Sequence, residues 1–88
     1  MKLTDNYMKR EIAGEVILIP IGEMATKFNG MITLNETGIF IYQCLQKGME
    51  REEIIQSMLD EYEGDAEIIR QEAEKFLNQC EQIGVVEV

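Results

Sequence analysis

The spacing of the apolar residues changes once along this chain, at Asn35. Before it, strand-forming residues alternate or run together over short distances; after it, apolar residues recur at three- and four-residue intervals to the end. A chain built this way makes its strands first and its helices afterwards. The predicted class is therefore α+β, a sheet packed at one end of a helix cluster.

The strand half divides at its glycines. Residues 7–13 and 15–21, on either side of Gly14, predict a hairpin whose second strand is rich in β-branched residues. The two faces of that strand, Val16/Leu18/Pro20 and Ile17/Ile19/Ile21, are both apolar. One can cover the helices, which leaves the other for a loop, a second chain or a partner. Pro20 has no N–H to give a ladder and marks an edge or bulge. After the connection from Gly22 to Asn29, residues 30–34 predict a third strand and complete a three-stranded antiparallel sheet. Gly30, Ile32 and Leu34 point one way along it, Met31 and Thr33 the other.

Three helices follow. Asn35 is a good N-cap for residues 36–47, a segment apolar on nearly all sides and closed by Gly48. Residues 50–62 carry a stripe of Ile54, Ile55, Met58, Leu59 and Tyr62, with Glu50, Glu52 and Glu53 at the end where the helix dipole favours negative charge. Asp65 caps a longer third helix, whose stripe is Ala66, Ile69, Ala73, Phe76, Leu77, Cys80 and Ile83; Gly84 ends it, and Val85 to Val88 predict a short last strand. Two helices joined at a tight glycine turn, then a longer helix and a terminal strand, have the outline of a winged helix-turn-helix. With 88 residues and no internal linker, residues 1–88 form one domain. A chain of this length buries only about 60–65% of its unfolded surface, too little for a deep enzymatic cleft beside a core.

Charge and composition remove further classes. Eight bases against 17 acids give a net charge of −9, and there is no histidine. Histidine-dependent nucleophile pairs and imidazole zinc sites are therefore excluded, which leaves catalysis the minor reading. Residues 1–49 hold five bases and five acids, so all nine surplus negatives fall in residues 50–88, where only Arg51, Arg70 and Lys75 oppose twelve carboxylates. That half would repel nucleic acid and an anionic membrane alike. Met1 to Met8 contains no apolar run of the signal-peptide kind and no stretch is long enough to span a bilayer, so the expected location is the cytosol. Cys44 and Cys80 then read as reduced, buried packing residues. Asn35-Glu36-Thr37 matches a glycosylation sequon, but capping by Asn35 explains the asparagine better.

The segment Asn29-Gly30-Met31-Ile32-Thr33-Leu34-Asn35-Glu36-Thr37-Gly38 is similar to the strand and Leu-Asn-x-Thr-Gly helix start of the PqqD-like family, also called the RiPP recognition element. Arg10-Glu11 with Gly14-Glu15, Gly48 with Glu52-Glu53-Ile54, the turn from Tyr62 to Asp65, and Phe76-Leu77 followed by Ile83-Gly84-Val85 extend the resemblance from about Tyr7 to Val86. The chain departs from the pattern at Glu50, where a Ser or Thr cap is common, at Gly64, where an apolar residue is common, and at Glu72-Ala73, where Asp-Val is frequent.

The resemblance implies a non-catalytic adaptor without cofactor or metal. Such proteins bind the leader of a ribosomally made precursor peptide and present it to a modifying enzyme, often a radical S-adenosylmethionine maturase. The leader adds as a strand to the third strand, in a groove beside the third helix; that is β-augmentation. Carried onto this sequence, the peptide-binding residues are Gly30, Met31, Ile32, Thr33 and Leu34 on the strand, with Ile68, Ile69, Glu72, Lys75 and Phe76 on the helix. Ile68 fits a groove wall or a wider core contact equally, and Ile69 and Phe76 read as core that can also floor a groove. The competing readings are a winged-helix DNA-binding regulator, disfavoured by the acidic third helix, and a homodimer assembled through the Ile17/Ile19/Ile21 face.

Overall fold

The computed structural model describes all 88 residues. The hairpin consists of β2 (Tyr7–Ile12) and β3 (Glu15–Pro20), preceded by a short β1 (Lys2–Leu3). One turn of helix, α1 (Met24–Lys27), leads to β4 (Ile32–Leu34). Then come α2 (Glu36–Gln46), α3 (Arg51–Glu61), α4 (Ala66–Gln82) and β5 (Val86–Glu87). The α+β order and the antiparallel three-stranded sheet, β2-β3-β4, agree with the sequence reading. β1 and α1 are additions to it. β5 does not join the main sheet but pairs with β1, Lys2 opposite Glu87 and Leu3 opposite Val86.

The hairpin turns on two residues, Ala13 and Gly14, both at positive φ, which matches the twist of the flanking strands. Its ladder runs from Ile12 opposite Glu15 to Tyr7 opposite Pro20. Beyond it the Ile21 N–H donates to the Asn6 carbonyl at 2.9 Å. In an antiparallel ladder only alternate residues exchange main-chain bonds with a given neighbour. Ile21, Ile19, Ile17 and Glu15 therefore bond to β2, while Val16 and Leu18 turn their main-chain groups to β4, opposite Leu34 and Ile32. Pro20 is next in that second series. Having no N–H, it stands where β4 has already ended.

One core joins the sheet to the helices. Leu18, Ile41, Ile54, Ile55 and Leu77 are its most enclosed large side chains, with Tyr7, Leu34, Leu45, Met58, Ala73, Cys80 and Val86 around them. The helices start where their caps predict. Asn35 Oδ1 accepts from the Gly38 N–H at 2.8 Å, and Asp65 Oδ1 accepts from the N–H of Glu67 and Ile68. Glu50 serves at α3 without the Ser or Thr common there, because the Glu53 carboxylate accepts from the Glu50 N–H at 2.9 Å.

The end of α4 is tied to the N-terminal segment. Tyr7 Oη donates to the Ile83 carbonyl at 2.6 Å, and Thr4 Oγ1 and Asn6 Nδ2 donate to the Gly84 carbonyl at 2.6 and 2.9 Å. These bonds satisfy carbonyls that a helix end otherwise leaves open. Gly84 suits this place because its φ is +79°, a left-handed conformation that glycine adopts without the cost a Cβ would bring.

Both cysteines are free and buried. Burial pushes the Cys80 thiol up to about 12 and raises Cys44 as well, so both remain protonated and unreactive at neutral pH. Neither thiol is expected to react with iodoacetamide in the native protein at pH 8, and both should react after denaturation. A raised thiol pKa contributes stability that is complete below the unfolded value, 9.0, and lost as pH climbs towards 12. Denaturant titrations should therefore show stability falling across that alkaline interval, with Cys80→Ala reducing the fall.

Candidate functional site

A three-stranded sheet has two edges, and here they differ in chemistry. β2 carries Lys9, Arg10 and Glu11 in succession, all exposed, and charged side chains of this kind discourage a further strand from pairing. β4, Ile-Thr-Leu, has no charge and is preceded by Met31, 63% exposed. Because Ile32 and Leu34 bond to β3, the N–H and C=O of Thr33 point away from the sheet, to an edge no other strand occupies. The Thr33 side chain, opposite Ile17, lies on the outer face, whereas Leu34 and Ile32 point to the core face.

α4 lies on the core side of the sheet, where its Leu77 shares one core with Leu34 of β4. At one end of β4, α2 begins immediately after Leu34, and its Gly38 lies against α4: a Cβ there would be 3.4 Å from the Phe76 ring and 3.1 Å from Asn35 Oδ1. At the other end, Tyr7, opposite Pro20 in the sheet, reaches the Ile83 carbonyl. β4 and α4 therefore run in opposite directions, joined through α2 at the Phe76 end. Where β4 gives way to α2, between the start of α2 and the flank of α4, lies a concavity of about 220 Å3, lined by Asn35, Thr37, Glu72, Lys75, Phe76 and Gln79.

Of the helix residues expected at a groove, Glu72, Lys75 and Phe76 line this concavity together. Ile68 does not line it. It is 58% exposed, just inside the start of α4, and it does not widen the core contact either. Ile69 is half-buried against the core, with its Cδ1 near Gly64. The five strand residues also separate. Ile32, Thr33 and Leu34 form β4, while Gly30 and Met31 lie before it. Asn35, Thr37 and Gln79 complete the lining. Gln79 was legible as one turn beyond Lys75 on the same flank; Thr37 stood out only as the threonine of the Leu-Asn-x-Thr-Gly match, and its place in the lining depends on how α2 meets α4.

The charges around the concavity are uneven. Arg51 pairs with Glu81 at 2.6 Å and Arg70 with Glu52 at 2.9 Å, so Glu52 holds the Arg70 pKa above its usual value, first through the hydrogen bond and then through its charge. Lys75 is left without an ion-pair partner, and so is Glu72. The outer face of the sheet is less open than the sequence implied. Ile17 is only 8% exposed, Ile19 and Ile21 are half-buried, and Met8 and Ile12 are its exposed apolar residues. A second, smaller hollow of about 120 Å3 lies on the core side of the hairpin, lined by Lys9, Glu11, Val16, Leu34, Ile39, Tyr42 and Gln43. No Cys, Asp and Glu side chains gather into a metal-binding group, and no helix is long and apolar enough to cross a membrane.

The family model described as coenzyme PQQ synthesis protein D (PqqD) matches residues 15–86, from β3 to β5. The chain belongs to the PqqD family. That span includes β4, the concavity and all of α4. Among solved structures, TbiB1 in complex with the TbiA(beta) leader peptide is similar in fold, with a TM-score of 0.78 and 24% identity over 99% of this chain and 95% of that one. No curated protein is a significant match to the sequence.

Asn35 both caps α2 and lines the concavity, so its loss is expected to register in stability. Asn35→Ala should lower unfolding free energy by about 1 kcal/mol, read from a urea titration. Glu72→Gln, at an exposed position in the same concavity, should stay within about 0.5 kcal/mol of the parent.

Proposed function

We propose that this PqqD-family chain is a non-catalytic adaptor that captures the leader of a ribosomally made precursor peptide as an added strand on β4. The observation that carries the reading is the contrast between the sheet edges: β4 presents the Thr33 main-chain groups uncharged and unpaired beside a concavity, while β2 is guarded by Lys9, Arg10 and Glu11. An extended peptide there would exchange main-chain hydrogen bonds with Thr33 and be flanked by Glu72, Lys75 and Phe76. TbiB1, similar in fold, was solved with a leader peptide. Gly30 and Met31 would extend the pairing, Ile32 and Leu34 hold Thr33 in place, Ile69 supports α4 from the core, and Ile68 would be reached by a peptide continuing past the concavity.

The partner that receives the captured peptide is a modifying enzyme, of the radical S-adenosylmethionine kind that PqqD-like proteins serve, and the proposed setting is the cytoplasm. The strand and helix order supports a winged helix-turn-helix architecture put to peptide use. A nucleic-acid role has no support in α4, where Glu67, Glu72, Glu74 and Glu81 face only two bases, one of them already paired. A homodimer through the outer sheet face is compatible with the adaptor role, and the exposure of Met8 and Ile12, 40% and 50%, favours it.

The ladder phase makes the test specific. Thr33→Pro removes the donor aimed at the peptide and leaves the bonds of Ile32 and Leu34 to β3, so isothermal titration with a peptide selected on the parent should show binding lost and the thermal transition kept. Ile32→Pro instead breaks the β3–β4 ladder and should lower the transition itself. Undiminished affinity in a folded Thr33→Pro protein would overturn strand addition at β4.

A further inference from the structure

Resting on the strand-addition reading, we infer that the bound peptide is read on both faces of the sheet at adjacent positions: an apolar side chain level with Thr33 on the outer face, and a hydrogen-bonding or charged one next to it at Glu72 and Lys75. The hydrogen-bond phase carries this. Residues level with one another on neighbouring strands point to the same face, whether the strands are parallel or antiparallel. Thr33 is opposite Ile17 and shares its outer face. A peptide residue level with Thr33 must therefore turn its side chain outward, away from α4.

The side chains within reach of it are Thr33 itself and Met31, two residues earlier and 63% exposed, and the surface further in is apolar. Ile17 is opposite both Thr33 and Arg10, and Ile19 is opposite Met8 on the same outer surface. Ile19 is half-buried and Met8 is 40% exposed. A fourth strand along β4 would extend this surface by one row, and a β-branched or aromatic side chain in that row covers apolar area that β4 alone leaves open.

The neighbouring peptide residue, level with Leu34, turns the other way. Leu34 points to the core face, the side on which α4 packs. The concavity at that end of β4 offers Asn35, Thr37, Glu72, Lys75 and Gln79 around a single apolar group, Phe76. Glu72 and Lys75 have no ion-pair partners within the protein, so both remain available to a polar side chain entering between them. The signature is then one of alternation across the sheet, apolar outward and polar towards α4, at consecutive residues.

Randomised linear peptides displayed on phage and selected separately on the parent, Thr33→Glu and Lys75→Glu proteins test this. Both sites are exposed, and circular dichroism checks the fold of each variant. The parent should enrich an apolar residue followed or preceded immediately by a polar one. Thr33→Glu should enrich Lys or Arg at the formerly apolar position only, and Lys75→Glu should do so at the adjacent polar position only. Each shift should be about two- to fivefold per round, the factor given by a cross-strand charge pair. Shifts at one shared position, or at positions two apart, would overturn the two-face reading while leaving strand addition standing. Enrichment of no peptide by any of the three proteins would overturn both.

Discussion

β3 is bonded on both sides, and the division of its main chain between two neighbours governs the rest of the sheet. Glu15, Ile17, Ile19 and Ile21 belong to β2; Val16 and Leu18 belong to β4. Side-chain direction follows from the same alternation, so Leu18 enters the core with 1% exposure while Ile17 lies on the opposite face. Pro20 ends the second series because it has no donor to give. β4 is thereby limited to three residues, and Thr33 is the one whose main-chain groups no neighbour takes. A single change of phase would turn Thr33 inward and expose the groups of Leu34 and Ile32 instead.

The helices hold that edge open rather than covering it. α4 is fixed at its C-terminal end by Thr4, Asn6 and Tyr7, and further back by the contact of Phe76 with Gly38. The glycine lets α2 and α4 approach where a side chain would force the Phe76 ring or the Asn35 cap to move. Held at these points, α4 packs on the core face of the sheet, with Leu77 and Leu34 in one core. The acidic surplus is disposed around the same frame. Arg51 and Arg70 neutralise carboxylates on Glu81 and Glu52, which leaves Lys75 beside the concavity as the free base of the acidic half. The result is a surface that repels polyanions broadly and still offers one cation and one anion locally.

Much of this was legible from residue patterns. The change of period at Asn35 located the boundary between sheet and helices, and the caps Asn35 and Asp65 and the stops at Gly48 and Gly84 bounded the helices to within a residue or two. The short elements were not legible. β1 has two residues and owes its existence to pairing with β5 across the whole chain, and α1 is one turn without a capping side chain. At the candidate site, the family resemblance picked out Glu72, Lys75 and Phe76 and helical spacing placed them near one another on α4, whereas the outward turn of the Thr33 main chain required the ladder phase, which the two-residue turn between Ile12 and Glu15 sets. Ile68 was ambiguous in the sequence, since a residue bordering an apolar stripe fits either a core or a groove. In the folded chain it joins neither the core nor the concavity and is 58% exposed.

Strand addition at β4 requires that the Thr33 main-chain groups pair with the captured peptide. Amide hydrogen exchange followed by NMR, in the free protein and with a saturating selected peptide, tests it residue by residue. The expected result is a slow Leu34 amide in both states, a Thr33 amide that exchanges fast in the free protein and becomes protected in the complex, and amides at Lys9 and Glu11 unchanged by peptide. Protection appearing along β2, or a Thr33 amide that stays fast in the saturated complex, would contradict it.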